Sequence, residues 1–244
     1  MHRFCVPAGI CVPGHTVTLP DEESHHALKV LRLRDGEEIR LLDGETLWQA
    51  RLSVQNGAAC AEVLAALPSP EAGARVTLLQ GLPKADKLEM IVQKATELGV
   101  WRIQPVDMTY CVVHADRFKN PERLSRIALE AAKQSSRAHV PEIALPCSFQ
   151  KALDSCPEYD LILVAWEEEH TLLLSECIRQ ETEAGRRPRN ILLAVGPEGG
   201  ISVQEWEQLK EKGAHAVSLG PRILRTETAG LCALSVIWAT LGEM

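Results

Sequence analysis

Two short, almost unbroken apolar runs, Leu161–Trp166 and Ile191–Val195, constrain the fold of this 244-residue chain more than any other feature. A strand that faces water on one side alternates apolar and polar residues. Runs apolar throughout belong to strands covered on both faces, as in parallel sheets flanked by helices. Strand and helix patterns alternate around them. Arg75–Gly81 reads as a buried strand, and Lys87 to Leu98 as a helix that Asp86 can cap and Gly99 can end. Trp101–Val106 is a second strand, and Asn120-Pro121 opens a helix running to about Ser136. Ser202 can cap a helix over Val203–Lys212, and Ala216–Leu219 is a further strand. Thr228–Leu241 is so nearly apolar that the sheet or a partner subunit has to cover it. Alternation of this kind indicates an α/β domain with a mainly parallel sheet.

The first 68 or so residues read differently. Ile39–Leu42 and Leu47–Val54 are short apolar or alternating runs, and Asp35-Gly36, Asp43-Gly44 and Asn56-Gly57 punctuate them as turns. Ser24 to Leu31 can form a helical turn or two. Short strands between glycine turns suggest a small barrel or sandwich. The breaker cluster Pro68 to Gly73 marks the boundary, which divides the chain into residues 1–70 and 71–244.

Charge narrows the partners. The net charge is −7, with six Lys/Arg against nine Asp/Glu before residue 71 and twenty against twenty-four after it. A protein that grips nucleic acid phosphates needs local basic patches, and three candidates exist. They are Lys29/Arg32/Arg34, the run Arg117/Lys119/Arg123/Arg126/Lys133/Arg137, and Arg186/Arg187/Arg189. Each alone reads equally as a solvated charged face. The apolar runs are too short to span a bilayer, and the N-terminus has no signal-peptide pattern. Eight scattered cysteines, without zinc spacing, point to reduced thiols in a cytoplasmic protein and to no metal site.

Ligands of open α/β sheets sit beyond the carboxyl ends of the strands. Two segments there carry the chemistry. Gly196-Pro197-Glu198-Gly199-Gly200 follows the strand Ile191–Val195 and frees the backbone for close approach to a ligand, although an ordinary glycine turn would look the same. It is neither a dinucleotide nor a P-loop fingerprint, and the hydrolase Gly-x-Ser-x-Gly is absent. Leu219 to Ala229 joins a strand to the apolar helix yet holds Arg222, Arg225, Thr226, Glu227 and Thr228. Thr226 or Thr228 as a helix cap explains the threonines but not the arginines.

With those two segments in that order, the chain resembles the SPOUT superfamily of methyltransferases. Within it, the chain resembles the RsmE family, which methylates N3 of a uridine in bacterial 16S ribosomal RNA. Arg3-Phe4, His25-His26, Val30-Leu31-Arg32 and Gly36 are similar to that family's PUA-like N-terminal domain. Lys84 through Gly99 (KADKLEMIVQKATELG), Gln134-Ser135 with Arg137, and Val140 to Ile143 match its second block. Lys133 departs from the pattern, standing where an acidic residue is expected.

The resemblance implies a C-terminal trefoil knot that bends S-adenosylmethionine into a cleft between three loops. They are the end of the strand Leu161–Ala165 (Leu163, Val164, Ala165), Val195 with the turn Gly196, Pro197, Glu198, Gly199 and Gly200, and the segment from Leu219 and Gly220 to Thr228 and Ala229. Within that segment, backbone groups of Leu219, Ile223 and Leu224 would hold the adenine, and Thr226 would contact the cofactor. Uridine N3 must lose a proton as it is methylated. Arg225 is the first choice to stabilise the developing charge, with Arg222 as substitute or phosphate contact. Glu227 or Glu198 would take the proton, unless the glutamate instead fixes a neighbouring arginine. Arg3, Lys29, Arg32, Arg34, Lys84, Lys87 and Arg137 are the candidate RNA contacts, within the small ribosomal subunit. A homodimer is expected across the apolar last helix, with Arg123, Arg126 and Arg137 reaching the partner's site. The competing readings are a SPOUT enzyme for another ribosomal or transfer RNA position, a non-catalytic RNA-binding or ribosome-assembly protein, and a nucleotide enzyme that uses the glycine turn for phosphate.

Overall fold

A computed structural model of the chain describes residues 1–44, 46–84, 87–117 and 121–244. The capping roles expected of Asp86 and Asn120, the charge of Lys119 and the side chain of Arg117 fall outside the described residues. The chain divides into two compact units, one of residues 1–71 and 132–140 and the other of residues 72–131 and 141–244.

The first unit is a five-stranded sheet with a helical segment. Its strands are β1 (Arg3–Cys5), β2 (Thr16–Thr18), β3 (Glu38–Leu42), β4 (Leu47–Gln55) and β5 (Ala58–Leu67), in the order β1-β3-β4-β5-β2. All pairings are antiparallel except β1 with β3. The β4–β5 hairpin turns on Asn56 (φ 51°) and Gly57 (φ 82°), the pair of positive φ values that a right-twisted two-residue hairpin needs. Helix α1 (Asp21–His25) continues as a π-helical stretch over His26–Val30, and Phe4, Ala27, Ile39, Leu41 and Leu52 form a fully buried core.

Residues 132–140 complete this unit. Ala138 packs with Leu42 and Leu47. Arg137, expected to touch RNA, is instead buried, and its guanidinium NH2 lies 2.6 Å from Glu71 Oε2, with Nε 3.1 Å from the same oxygen. Glu71 also accepts from the Ala138 and His139 N–H groups. A charge this well paired and buried is an element of the fold, since removing one partner strands the other at a cost of about 3–5 kcal/mol. Lys133, the departure from the family pattern, pairs with the buried Glu23. Arg3 is half-buried, and its NH1 donates to the main-chain oxygen of Lys133 at 2.8 Å rather than facing solvent. Lys29, Arg32 and Arg34 are exposed.

The second unit is an all-parallel sheet of seven strands. They are β6 (Arg75–Gly81), β7 (Arg102–Asp107), β8 (Glu142–Ile143), β9 (Cys147–Ser148), β10 (Leu161–Ala165), β11 (Asn190–Val195) and β12 (His215–Val217). The order is β12-β10-β11-β6-β7-β8, with β9 also on β7. The helices are α2 (Lys87–Glu97), α3 (Pro121–Ser135, which crosses the division between the units), α4 (Phe149–Asp154), α5 (Leu174–Glu183), α6 (Val203–Glu211) and α7 (Thr226–Leu241). The apolar runs become β10 and β11, buried along almost their whole length. Gly99 takes the left-handed conformation (φ 91°) that ends α2. Ser202 caps α6 in a box with Glu205.

Helix α7 starts at Thr226, not at Thr228, and β12 ends at Val217, not at Leu219. Neither threonine caps α7: Arg225 is the cap residue and contributes no side-chain bond. Gly230 is buried where α7 packs on Leu78 of β6, and Trp238 Nε1 donates to Leu98 O at 2.6 Å. No helix of the described residues is long and apolar enough to cross a membrane, and among them no group of three or more His, Cys, Asp or Glu could hold a metal.

Candidate functional site

Strands β10, β11 and β12 end side by side, and the segments that leave them enclose a cavity of about 300 Å³. That is at the lower end of the range for small-molecule sites. The three walls are Ala165 to His170, Val195 to Ile201, and Val217 to Ala229.

The glycine turn is fixed from every side. A Cβ on Gly196 would lie 2.7 Å from Gly200 C and 2.9 Å from Ile201 Cγ1, so only glycine fits. Gly200 has φ 77°, and a Cβ there would meet Glu167 Oε1 at 2.6 Å. At the end of β6, Gly81 makes room for Pro197. The buried Thr226 hydroxyl donates to Gly196 O at 2.6 Å and accepts from Gln80 Nε2 at 2.9 Å, which joins β6, the turn and the start of α7 through buried polar atoms.

The opposite wall is open. The main-chain N–H and C=O groups of Arg222, Ile223 and Leu224 make no hydrogen bond to a described residue, and neither does the guanidinium of Arg222 or Arg225. Both arginines are exposed at the cavity, and Ile223 is 89% exposed. The partners expected for buried arginines are therefore not needed; the cations face solvent.

The glutamates bind a lysine. Lys87 Nζ lies 3.0 Å from Glu198 Oε1 and 3.1 Å from Glu227 Oε2, and the Lys84 N–H donates to Glu198 at 3.0 Å. Burial pushes the Glu198 carboxyl up, but Lys87 and the Lys84 N–H outweigh it and hold it below the usual carboxylate range. Glu227 is held low as well: burial opposes, while its own N–H, Lys87 and Arg225 prevail. The Glu198 contact, then the Glu227 contact, raises Lys87. Lys87, expected as an RNA contact, lines the cavity, and the two glutamates, expected as proton acceptors or as partners of an arginine, both lie within ion-pair distance of it.

Of the expected cofactor residues, Ala165, Val195, Gly196, Pro197, Glu198 and Gly200 line the cavity from one side. Leu219, Gly220, Ile223, Leu224, Thr226 and Ala229 line it from the other. Leu163 and Val164 do not, because their side chains are buried in the sheet. Gly199 turns away against Tyr110, and Thr228 is exposed on the first turn of α7. The wall after β10 holds residues that sequence reasoning missed: Trp166, Glu167, Glu169 and His170. Trp166 stacks on Trp206 at 5.2 Å between ring centroids. Glu169 accepts from the Thr171 hydroxyl and from the N–H groups of Thr171 and Leu172, which holds its pKa at about 2 and shapes the loop. The available signal was positional, as these residues directly follow a strand's carboxyl end.

The cavity suits a cationic, partly apolar cofactor: main-chain groups without a hydrogen bond to a described residue on one wall, the carboxylates of Glu167 and Glu198 on the other two, and apolar side chains between them. Comparison with known proteins agrees. Residues 70–238 match the model of the RNA methyltransferase domain, and residues 19–64 match the RNA methyltransferase PUA domain. The chain is 35% identical over 229 residues to the ribosomal RNA small subunit methyltransferase E of Bacillus subtilis, covering 91% of this chain and 89% of that one. It is similar to the crystal structure of the Neisseria gonorrhoeae ribosomal RNA small subunit methyltransferase E bound to S-adenosyl methionine, at 36% identity and a TM-score of 0.82 over 98% and 97% of the two chains. A Legionella pneumophila structure with the bound cofactor SAM is similar at 28% identity and a TM-score of 0.74, over 97% and 96%. The chain belongs to the ribosomal RNA small subunit methyltransferase E (RsmE) family of RNA methyltransferases.

Proposed function

We propose that this chain transfers the methyl group of S-adenosylmethionine to N3 of an unpaired uridine in bacterial 16S ribosomal RNA, as a cytoplasmic homodimer. The observation that carries this reading is the half-open cavity: a rigid glycine turn faces a segment in which the main-chain groups of Arg222, Ile223 and Leu224 and the guanidinium groups of Arg222 and Arg225 make no hydrogen bond to a described residue.

S-adenosylmethionine supplies a methyl group already activated by its sulfonium, so the protein's work is orientation and charge. The free N–H and C=O groups of Arg222, Ile223 and Leu224 would read the adenine edge. Glu198 and Glu167 complement the cofactor's positive charge. N3 must give up its proton for the N3–carbon bond to form as the sulfur–carbon bond breaks. The negative charge left by that proton spreads onto the uridine oxygens, and the Arg225 guanidinium, which lines the cavity, would stabilise it until the methyl group arrives. Glu198 and Glu227 are engaged with Lys87, so the N3 proton leaves to solvent. The target sits on the Watson–Crick edge of the base, which requires an unpaired or flipped nucleotide. The exposed Lys29, Arg32 and Arg34 of the first unit and Lys84 of the second would contact phosphates. The half-buried outer stripe of α7, with Leu231, Cys232 and Val236, would meet its copy in the dimer.

The test is methyl transfer from labelled S-adenosylmethionine to small ribosomal subunits and free small-subunit RNA from a strain lacking the modification. The expected product is label in 3-methyluridine. Absence of cofactor binding would overturn the reading, and label in another nucleotide would overturn its position.

A further inference from the structure

The glycine turn has a second face. Gly196, Pro197, Glu198 and Gly200 face the cavity, whereas Gly199 packs against Tyr110 on the loop after β7. The approach is close: a Cβ on Gly199 would lie 2.7 Å from Tyr110 Cβ and 3.3 Å from its Cγ. Tyr110 is 50% exposed, and no Phe, Trp or other Tyr among the described residues is exposed to that degree. A large ring left half in water on a soluble protein is a surface for something flat.

The ring is also held in place. The Thr109 N–H donates to Glu205 Oε1 at 2.8 Å, and the Ser202 hydroxyl donates to Thr109 Oγ1 at 3.4 Å. Glu205 is buried, so the box that caps α6 also anchors this loop. A turn from Met108 to Cys111 closes the other side, and His114 Nδ1 lies 2.9 Å from Asp107 Oδ1 at the end of β7. Lys84, exposed, donates its N–H to Glu198, the residue just before Gly199. An aromatic face and an exposed cation, held to consecutive residues of one turn, make up the combination by which proteins hold single-stranded nucleic acid, because every base has a π face and every nucleotide a phosphate.

We propose that Tyr110 is the stacking platform for an unpaired base of the RNA substrate entering the cofactor site, with Lys84 on the adjoining phosphate. A base on that ring lies across a single residue, Gly199, from the turn that lines the cavity. This explains why a glycine that does not line the cavity still has to be a glycine: any side chain there would displace the platform. Tyr110 is thus a positioning residue for the proposed methyl transfer, and the inference rests on that reading.

The experiment compares wild type, Tyr110→Ala, Tyr110→Leu and Tyr110→Phe in steady-state methylation of small-subunit RNA, alongside calorimetric binding of S-adenosylmethionine and thermal melting. Alanine keeps the Cβ that touches Gly199, so cofactor affinity and melting are expected to hold. The KM for RNA is expected to rise roughly tenfold or more in the Ala and Leu variants, with Phe restoring most of it. Photocrosslinking of RNA carrying 5-bromouridine should label wild type and the Phe variant but not the Ala variant. Unchanged KM and crosslinking in Tyr110→Ala, with an active wild type, overturns the platform. A wild type that binds cofactor but methylates no small-subunit RNA overturns the proposed function instead, and crosslinking then reads the platform directly.

Discussion

The Gly196–Gly200 turn and the Arg222–Arg225 segment face the same cavity, yet they are built in opposite ways. The turn is bonded or sterically locked at each residue: Gly196 by Thr226, Pro197 by the space at Gly81, Glu198 by Lys84 and Lys87, Gly199 by Tyr110, and Gly200 by Glu167. In the segment, three main-chain units and two guanidinium groups make no hydrogen bond to a described residue. An unpaired polar group persists without penalty only where water or a ligand reaches it. The difference therefore separates scaffold from recognition surface: one wall sets distance, and the other is left for cofactor and base.

The largest effect is expected at Arg225. If the segment is a recognition surface, Arg225→Ala should lower kcat about 10²- to 10³-fold, in the range for a lost charge-stabilising donor. Cofactor affinity and melting temperature should stay within error. A melting temperature lower by several degrees would make Arg225 part of the scaffold and break the contrast.

Thr226 stands on the other side of the divide. Thr226→Val keeps the shape but strands Gly196 O and a Gln80 N–H in a buried place, and should destabilise the protein by about 1–3 kcal/mol. For a chain of this size that is a fall of roughly 2–4 °C in Tm for each kcal/mol. Cofactor binding should weaken along with stability. Loss of binding at full stability would mean that the hydroxyl serves the ligand rather than the turn.

This contrast also explains what was legible in the sequence. Strands β10 and β11, the Ser202 cap, the Gly99 terminus and the two ligand segments are written in adjacent residues, so period and turn chemistry expose them. Partners distant in sequence left no such trace. Arg137 looked like a surface cation because its carboxylate, Glu71, lies 66 residues earlier. Lys87 looked like an RNA contact because Glu198 and Glu227 arrive from the far end of the chain. Thr226 looked like a helix cap because sequence shows a threonine at a helix start, not the carbonyl it binds. Tyr110 carries no pattern, being one aromatic in a loop.

A smaller effect is expected from pH, and it bears on whether Glu198 and Glu227 are scaffold or bases. Both carboxyls are held below their unfolded values, so their contribution is complete above about pH 4.3 and lost as pH falls through the folded values. Lys87 is raised, so its contribution holds below about pH 10.4 and is lost as pH rises through the folded value. The wild-type advantage in Tm over Lys87→Met should be flat between these limits and vanish in acid. In methyl transfer, Glu227→Gln should leave the rise of kcat with pH in place. A profile flattened by that substitution would make Glu227 the proton acceptor and return it to the chemistry.

The smallest effect, and the most direct probe of the open wall, is at Ile223. Its side chain is 89% exposed and supports nothing within the chain, so Ile223→Ala should change stability by no more than about 0.5 kcal/mol in dilute protein. If the wall reads the cofactor through main-chain groups, affinity for S-adenosylmethionine should also stay within about twofold, because alanine keeps both the N–H and the C=O. A tenfold loss of affinity would move recognition to the side chain, and the open wall would then be an apolar contact rather than a row of free hydrogen-bonding groups. If affinity holds in the alanine variant and falls in Ile223→Pro, where the N–H is gone, the division between a locked turn and a reading segment stands at the level of a single main-chain donor.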